Sequence, residues 1–241
     1  MARSRTKTYA AYVLHARAFR ETSLMLDLFT REQGRVSAVF KGGRKGSRAR
    51  ARPEPFLQYH VGLFGNGDLK SIASFEIDAQ FGIERLQGAR LFSGLYLNEL
   101  LYYLLLANVQ QADVFQAYEN VLLALHKTAN FEAHLRNFEL KLMDCLGYGL
   151  SFDLEADGLS PVRAENQYEF LAGNGFQVCS SRTIDNHAAL VSGEVLLQIV
   201  RGEWSEPQVL KTLKQVNQQA LQHMLKGKTL NSREIFRKSK A

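Results

Sequence analysis

Six positively charged side chains lie within twelve consecutive residues of this chain and could bind phosphate groups. The segment KGGRKGSRARAR has no acidic residue, and its three glycines and one serine give its backbone freedom to adapt to a ligand. Clustered Lys and Arg neutralise a nucleic-acid backbone through contacts that are independent of base sequence and weaken as salt rises. We therefore predict that this segment, called the basic segment below, binds nucleic acid through Lys41, Arg44, Lys45, Arg48, Arg50 and Arg52.

Charge is distributed unevenly along the chain. The net charge of the 241 residues is +6, but residues 1–52 hold 13 Lys and Arg against 3 Asp and Glu, a net of +10. Residues 53–225 have a net charge of −9 and residues 226–241 a net of +5. A basic module beside an acidic body is typical of a phosphate-backbone binder. The basic tail could be a second DNA arm or merely a soluble terminus; its cations are Lys226, Lys228, Arg233, Arg237, Lys238 and Lys240.

Other residues of the N-terminal region could extend the nucleic-acid surface. Four arginines fall on or between expected strands: Arg17, Arg20, Arg31 and Arg35. We count Arg17 and Arg35 among the predicted DNA contacts, although charges at strand edges also protect against aggregation. Four aromatic residues share the region: Tyr9, Tyr12, Phe19 and Phe40. They could stack on bases, but alternating aromatics more often fill a barrel.

No pattern in the sequence predicts a catalytic centre, a metal site or a cofactor. The six histidines are scattered without the spacing of a helical metal site, and neither a P-loop nor a GxGxxG motif is present. The two cysteines, Cys145 and Cys179, cannot supply the four ligands of structural zinc. Asp153, Glu155 and Asp157 lack the following bidentate Glu of a calcium loop, which favours a solvated turn.

The first eighty residues have the pattern of a small β-barrel. The basic segment falls between the third and fourth of five predicted strands, and Gly65–Asp68 is a turn signal between the last two. The strands are predicted at Tyr9–Phe19, Ser23–Thr30, Arg35–Lys41, Phe56–Phe64 and Lys70–Asp78. Five strands with one long loop fit an OB-type barrel, a platform for single-stranded nucleic acid, and an SH3-like barrel remains the alternative.

The hydrophobic period becomes helical from about residue 83. A strand pair is expected near Tyr168–Leu171 and Phe176–Cys179, in an otherwise irregular segment. Five helices are predicted: Leu91–Ala107, Val114–Lys127, Phe131–Leu146, His187–Val200 and Glu206–Leu225. The fold class is therefore α+β, with an N-terminal OB-fold barrel (1–80), an α-helical domain (81–150) and a C-terminal region (151–241) made of a small irregular segment, two helices and the basic tail.

The chain is expected in the cytoplasm. Its longest apolar run, Leu100–Ala107, is far shorter than the roughly 20 residues of a membrane span. His15 and Arg17 interrupt the apolar stretch near the N-terminus, which argues against a signal peptide. Two cysteines in a chain of this size favour a reducing compartment.

Three strings, in order along the chain, resemble the family of the bacterial recombination mediator RecO. They are RAFRETSLMLDLFTREQGRVSAVFKGGRK, LFSGLYLNELLYYLL and LRNFELKLMDCLGYGLSFD, and the resemblance resumes with LNSREIF. It implies an N-terminal OB-fold, a helical domain and a C-terminal region. It also implies a non-catalytic protein that binds single- and double-stranded DNA, anneals complementary strands, and helps RecA replace single-strand-binding protein, usually with RecR. Localisation at the nucleoid follows from these expectations.

The sequence departs from the family pattern at one place. Many RecO family members carry a four-cysteine zinc site after the LGY string. Here SFDLEADG contains no cysteine and VCSSR keeps one, Cys179. We therefore expect a member without zinc, whose C-terminal region folds by apolar packing.

The resemblance further implies a site for the C-terminal tail of single-strand-binding protein. That tail is acidic and ends in an aromatic residue, so it needs an apolar slot rimmed by cations. Cations are few in the helical domain, and two lie on the LRNFELKL helix beside apolar residues, although they could merely decorate a packed face. The predicted partner-binding residues are Leu135, Arg136, Phe138, Lys141 and Leu142.

Two other functions compete with a DNA-binding mediator. An RNA-binding or ribosome-associated adaptor is the alternative, because basic OB modules bind both nucleic acids. A metal-dependent nuclease would need clustered acids near the basic segment. Residues 1–52 contain only Glu21, Asp27 and Glu32, which makes the nuclease the weakest of the three.

Overall fold

The computed structural model describes residues 6–44, 53–78, 85–179, 190–232 and 234–235. Five strands precede the first helix: β1 Lys7–Phe19, β2 Ser23–Thr30, β3 Gly34–Phe40, β4 Gln58–Phe64 and β5 Leu69–Ile77. Three further strands follow the helical region: β6 Gln167–Leu171, β7 Gly175–Val178 and β8 Val191–Ser192. The helices are α1 Gly88–Leu104, α2 Ala112–Lys127, α3 Glu132–Cys145, α4 Gly193–Val200 and α5 Pro207–Leu225.

The first five strands form a closed barrel in the order β1-β2-β3-β5-β4, and β4 pairs back onto β1. All of these pairs are antiparallel except β3 with β5, which run parallel from Ser37↔Leu69 to Val39↔Ser71. This strand order is that of the OB-fold and decides against the SH3-like alternative. The predicted OB-type barrel is therefore confirmed.

Alternating side chains of the strands fill the barrel. Val36, Ala38 and Phe40 of β3 point inward and are buried, whereas the residues between them remain partly exposed. Tyr59 stacks on Phe75 inside the barrel, with ring centroids 4.2 Å apart. Burial raises the pKa of the Tyr59 phenol to about 12, so this side chain stays neutral within the core.

Helices α1 and α2 cover one part of the outer barrel wall. Tyr12 on β1 and Phe29 on β2 pack against Phe115 of α2, with centroids 5.5 and 5.2 Å apart. Asn98 of α1 donates hydrogen bonds to the main-chain oxygens of residues 13 and 14 on β1. Burial, and then the charge of Glu119, raise the pKa of the Tyr12 phenol well above its ordinary value. This part of the wall is closed to ligands.

The chain divides into two compact units, Met1–Thr128 with Leu230–Ala241, and Ala129–Thr229. The first contains the barrel, α1 and α2. The second contains α3, α4, α5 and a three-stranded sheet of order β7-β6-β8. The predicted helical domain, residues 81–150, is thus shared between the units, because the apolar faces of α1 and α2 pack within the barrel-containing unit.

The sequence predicts that the fourth helix begins at His187, and this is wrong for the residues from Leu190 to Ser192. Residues 187–189 lie outside the described residues, and Val191–Ser192 form a strand that pairs with β6. The helix begins at Gly193, where the Ser192 side chain accepts a hydrogen bond from the Val195 amide. A Cβ on Gly193 would lie 1.9 Å from the Arg163 carbonyl oxygen, so a close backbone approach fixes this boundary.

Candidate nucleic-acid interface

Two rows of outward-facing side chains cross β1, β2 and β3 beside the wall that the helices cover. His15, Asp27 and Ser37 lie in register across the three strands and form the first row. Arg17, Met25 and Val39 form the second. In OB-folds the face of strands 2 and 3 is a common site for oligonucleotides. This face, on which His15 and Arg17 are exposed, is called the β1–β3 face below and is therefore the candidate interface.

Exposed cations lie along this face and at the barrel end that follows it. Arg17 is exposed, and its Nη2 lies 2.9 Å from the Met25 sulfur, so the guanidinium rests against the second row. Lys41 is exposed directly after β3, and Arg20 is exposed in the turn between β1 and β2. The structure thus places two of the predicted DNA contacts on one sheet, Arg17 on β1 and Lys41 directly after β3, with β2 between these strands.

Arg44 attaches the beginning of the basic segment to the turn between β1 and β2. Its guanidinium donates to the main-chain oxygens of Arg20 and Glu21 at 3.1 and 3.2 Å, and its amide donates to the Thr22 oxygen. Arg44 therefore contributes to the position of the segment as well as to its charge. The remaining predicted contacts lie outside the described residues: Lys45, Arg48, Arg50 and Arg52.

Arg35 occupies a different environment from the other predicted DNA contacts. It is half-buried, its Nε donates to the Leu105 carbonyl at 3.1 Å, and its guanidinium lies 5.4 Å from the Tyr102 ring centroid. Arg35 also pairs with Phe29, in the row that α2 covers. This placement favours a role in holding the end of α1 against β3 and does not favour a phosphate contact.

The aromatic residues considered for base stacking are mostly inaccessible. Tyr9 and Phe40 belong to the barrel core, and Tyr12 is buried beneath α2. Phe19 is half-buried, with the guanidinium carbon of Arg20 5.3 Å from its ring centroid. The interface is consequently rich in cations and poor in stacking surfaces, as expected for binding that depends on phosphate contacts.

The predicted partner site on α3 is largely buried within the second unit. Leu135, Phe138 and Leu142 belong to its core, at 5%, 2% and 0% exposure. The expectation that Arg136 is an exposed cation is wrong, because its side chain is 8% exposed and its Nη1 lies 3.0 Å from Glu139 Oε2. Lys141 is partly exposed, 3.7 Å from Asp144 Oδ2. At these residues the described conformation shows one accessible cation and no open apolar slot.

Comparisons with known proteins decide the family. The family model for the N-terminal part of recombination protein O matches residues 1–81, and the model for its C-terminal part matches residues 85–234. This chain belongs to the RecO family of DNA repair proteins. Its similarity to the DNA repair protein RecO of Psychromonas ingrahamii is 39% identity over 229 residues, which cover 94% of this chain and 96% of the relative.

Two further RecO proteins show the same extent of similarity. The DNA repair protein RecO of Pseudomonas aeruginosa strain UCBPP-PA14 is 39% identical, over 94% of this chain and 93% of the relative. That of Hahella chejuensis is 36% identical, over 97% of this chain and 96% of the relative. As a member of this family, the chain therefore has a role in DNA repair and recombination.

The described parts of the chain hold no grouping of three or more His, Cys, Asp or Glu side chains that could bind a metal ion. Asp157 accepts hydrogen bonds from the amides of Leu159 and Ser160 and from the Ser160 hydroxyl. These bonds, the hydroxyl contact first, lower the pKa of the Asp157 carboxyl. Its oxygens thus serve a local turn. Among the helices in the described ranges, none has the length and apolar character needed to cross a membrane.

Sequence reasoning missed a contact that joins two of the strings shared with RecO. Glu99, in the LYLNELL string, accepts hydrogen bonds from the amides of Asn231 and Ser232 at 3.0 and 2.9 Å, and from the Ser232 hydroxyl at 2.6 Å. Ser232, in the LNSREIF string, is buried. A carboxylate that satisfies free amides at the start of a helical turn is a favourable cap. The separation of 133 residues hides this pairing from local patterns.

We expect Glu99→Ala to release the C-terminal segment from the RecO barrel unit. The change leaves two amides and a buried hydroxyl without their acceptor, which costs about 1–3 kcal/mol of local stability. Limited trypsin digestion followed by mass spectrometry should show faster cleavage after Lys226 and Lys228 than in the wild type. Glu76→Ala, at an exposed position of β5, is the charge-matched control. Equal cleavage rates for all three proteins would contradict the assigned contact.

Proposed function

We propose that this RecO family member is a non-catalytic, DNA-binding recombination mediator. It binds and anneals single-stranded DNA and helps to load RecA onto strands coated by single-strand-binding protein. The observation that carries the proposal is the exposure of two cations on an OB-type barrel, Arg17 on β1 and Lys41 after β3, where the basic segment begins. The cytoplasm, at the nucleoid, is where this activity would take place.

The character of the interface supports annealing more than sequence-specific recognition. Cations that contact phosphates carry no information about base sequence, so two different strands can occupy the same surface. Such a surface screens the repulsion between complementary strands and raises their local concentration. The burial of Tyr9, Tyr12 and Phe40 leaves few aromatic rings to hold the faces of the bases, so the bases can stack on one another in the duplex that forms.

The proposed protein partners are single-strand-binding protein through its C-terminal tail, RecR, and indirectly RecA. For the tail, the accessible Lys141 on α3 supports a site in the second unit, whereas burial of Arg136 does not. The cations of the β1–β3 face are the rival, because an acidic tail can occupy a phosphate surface. The DNA repair role of the family favours DNA over the RNA-binding alternative.

Annealing by the pure protein should proceed without nucleotide and should slow steeply as salt rises. The physical reason is that the proposed mechanism uses charge screening and concentration, with no chemical step. Two complementary oligonucleotides labelled with a fluorescent donor and acceptor measure the rate, with and without ATP, from 50 to 300 mM NaCl. A strict requirement for ATP, or a rate that is independent of salt, would contradict this mechanism.

A further inference from the structure

A buried carboxylate on the β1–β3 face is incompletely satisfied. Asp27 Oδ1 accepts a hydrogen bond from the Ser37 hydroxyl at 2.5 Å. Asp27 Oδ2 is buried and has no hydrogen-bond partner among the described residues, and the side chain is 3% exposed. A buried carboxylate is costly unless a donor or a cation reaches its free oxygen. The environment of Asp27 therefore favours a positive neighbour.

His15 is placed to be that neighbour. It lies opposite Asp27 in the β1–β2 register, and its Nδ1 is 3.8 Å from Asp27 Oδ2, slightly beyond hydrogen-bonding distance. The His15 side chain is 52% exposed, and its ring packs against Tyr102 of α1 with centroids 5.6 Å apart. The other charged groups at this place are Arg17, further along β1, and Arg35 of β3, whose guanidinium lies against Tyr102.

Protonation would give this imidazole two donors with different targets. A protonated histidine carries N–H groups on both ring nitrogens. Nδ1–H can reach Asp27 Oδ2 after a small rotation, which leaves Nε2–H for a ligand at the half-exposed side of the ring. Arg17 follows two residues later on the same face, and alternate residues of a strand are about 6.5–7 Å apart. A phosphate backbone that runs along β1 would meet two cations in succession.

We propose that protonated His15, held by Asp27, forms with Arg17 a phosphate subsite on the β1–β3 face, and that DNA binding takes up a proton there. The inference rests on the proposed function, since the phosphates are those of DNA. With a neutral His15, the buried Asp27 carboxylate lies beneath the ring without a positive neighbour, and its charge disfavours an approaching phosphate. With a charged His15, the same position attracts it. DNA affinity must therefore rise as the pH is lowered from 8 to 6.

The test compares binding of a fluorescent oligothymidylate at pH 6 and pH 8, at constant ionic strength, for the wild type, His15→Gln and His60→Gln. His60 is a matched control because it is also 52% exposed and lies 3.2 Å from a carboxylate, Asp78, but on β4. We expect about fivefold tighter binding at pH 6 for the wild type and for His60→Gln, and a ratio near one for His15→Gln. Calorimetry in two phosphate-free buffers of different ionisation enthalpy, PIPES and imidazole, should show proton uptake by the wild type that His15→Gln lacks.

A second variant tests the role of the carboxylate. Asp27→Asn keeps a side-chain oxygen for the Ser37 hydroxyl but removes the charge that stabilises the imidazolium, so proton uptake should fall. If His15→Gln keeps the pH dependence of the wild type, or if the wild type has none, the subsite is wrong while DNA binding stands. If the wild type binds no DNA at either pH, the proposed function itself is wrong.

Discussion

Replacing Lys45, Arg48, Arg50 and Arg52 with alanine will weaken DNA binding by about 100-fold at low salt and flatten its salt dependence. Each lost phosphate contact lowers the slope of log affinity against log salt by about 0.7 for single strands and about 0.9 for duplex DNA. The four substitutions together should therefore lower these slopes by about 3 and about 4. Arg44 stays in place because its guanidinium attaches the segment to the β1–β2 turn.

The control for this variant must remove the same charge from elsewhere. Four cations at exposed positions outside the β1–β3 face serve as the matched set for substitution by alanine: Lys127, Arg163, Lys211 and Lys214. Fluorescence anisotropy with oligothymidylate between 50 and 300 mM NaCl measures the affinity and its salt dependence for the wild type and the two variants. An equal loss of affinity in the two variants would mean that net charge, and not the basic segment, determines binding.

The sequence predicts the barrel well because its signals are local. Alternation of apolar residues along β3 and the turn signal after Phe64 depend on the nearest neighbours in the chain, and the strands lie where these patterns place them. The parallel pairing of β3 with β5 is a contact between distant segments. It separates the OB-fold from its alternative, and counting strands does not show it.

The roles of individual charged residues were less predictable, because they depend on contacts between segments that are distant in the sequence. Arg17 faces outward because the register of β1 shifts between Val13 and His15, whereas strict alternation from Val13 would place it inside the barrel. The Arg35 guanidinium donates to the Leu105 carbonyl oxygen, 70 residues away. The charged partner of Arg136, Glu139, is only three residues along the helix, but the surroundings that bury this pair include Asn217, which donates to the main-chain oxygen of Arg136 from 81 residues away. A charged residue is usually exposed, and only the tertiary packing shows that Arg35 and Arg136 are not. His15 and Asp27 were missed as a pair because each alone is an ordinary residue on a strand.

Arg136→Ala is expected to destabilise the second unit by about 3–5 kcal/mol, because it removes one partner of a buried ion pair. The Glu139 side chain is 0% exposed. In the variant, its Oε2 would still accept the hydrogen bond from the Asn217 side-chain amide, at 2.9 Å, but would lose the positive charge of the guanidinium. Nη1 of Arg136 lies 3.0 Å from that oxygen, but their alignment does not make a hydrogen bond. The stabilisation is therefore mainly electrostatic. Urea unfolding followed by circular dichroism measures the loss.

Lys141→Ala is the matched comparison on the same helix. Its partner Asp144 is 66% exposed and 3.7 Å away, so the loss should be about 0–1 kcal/mol. Adding Glu139→Gln to Arg136→Met should recover much of the stability lost by Arg136→Met alone, since no uncompensated charge then remains buried. If Arg136→Ala and the wild type unfold at the same urea concentration, Arg136 is accessible in solution. It could then bind the tail peptide as predicted for the partner site on α3. If Arg136→Ala unfolds at a lower urea concentration than the wild type, weaker binding of the tail peptide by this variant would reflect loss of the fold. Lys141→Ala is then the variant that tests the partner site.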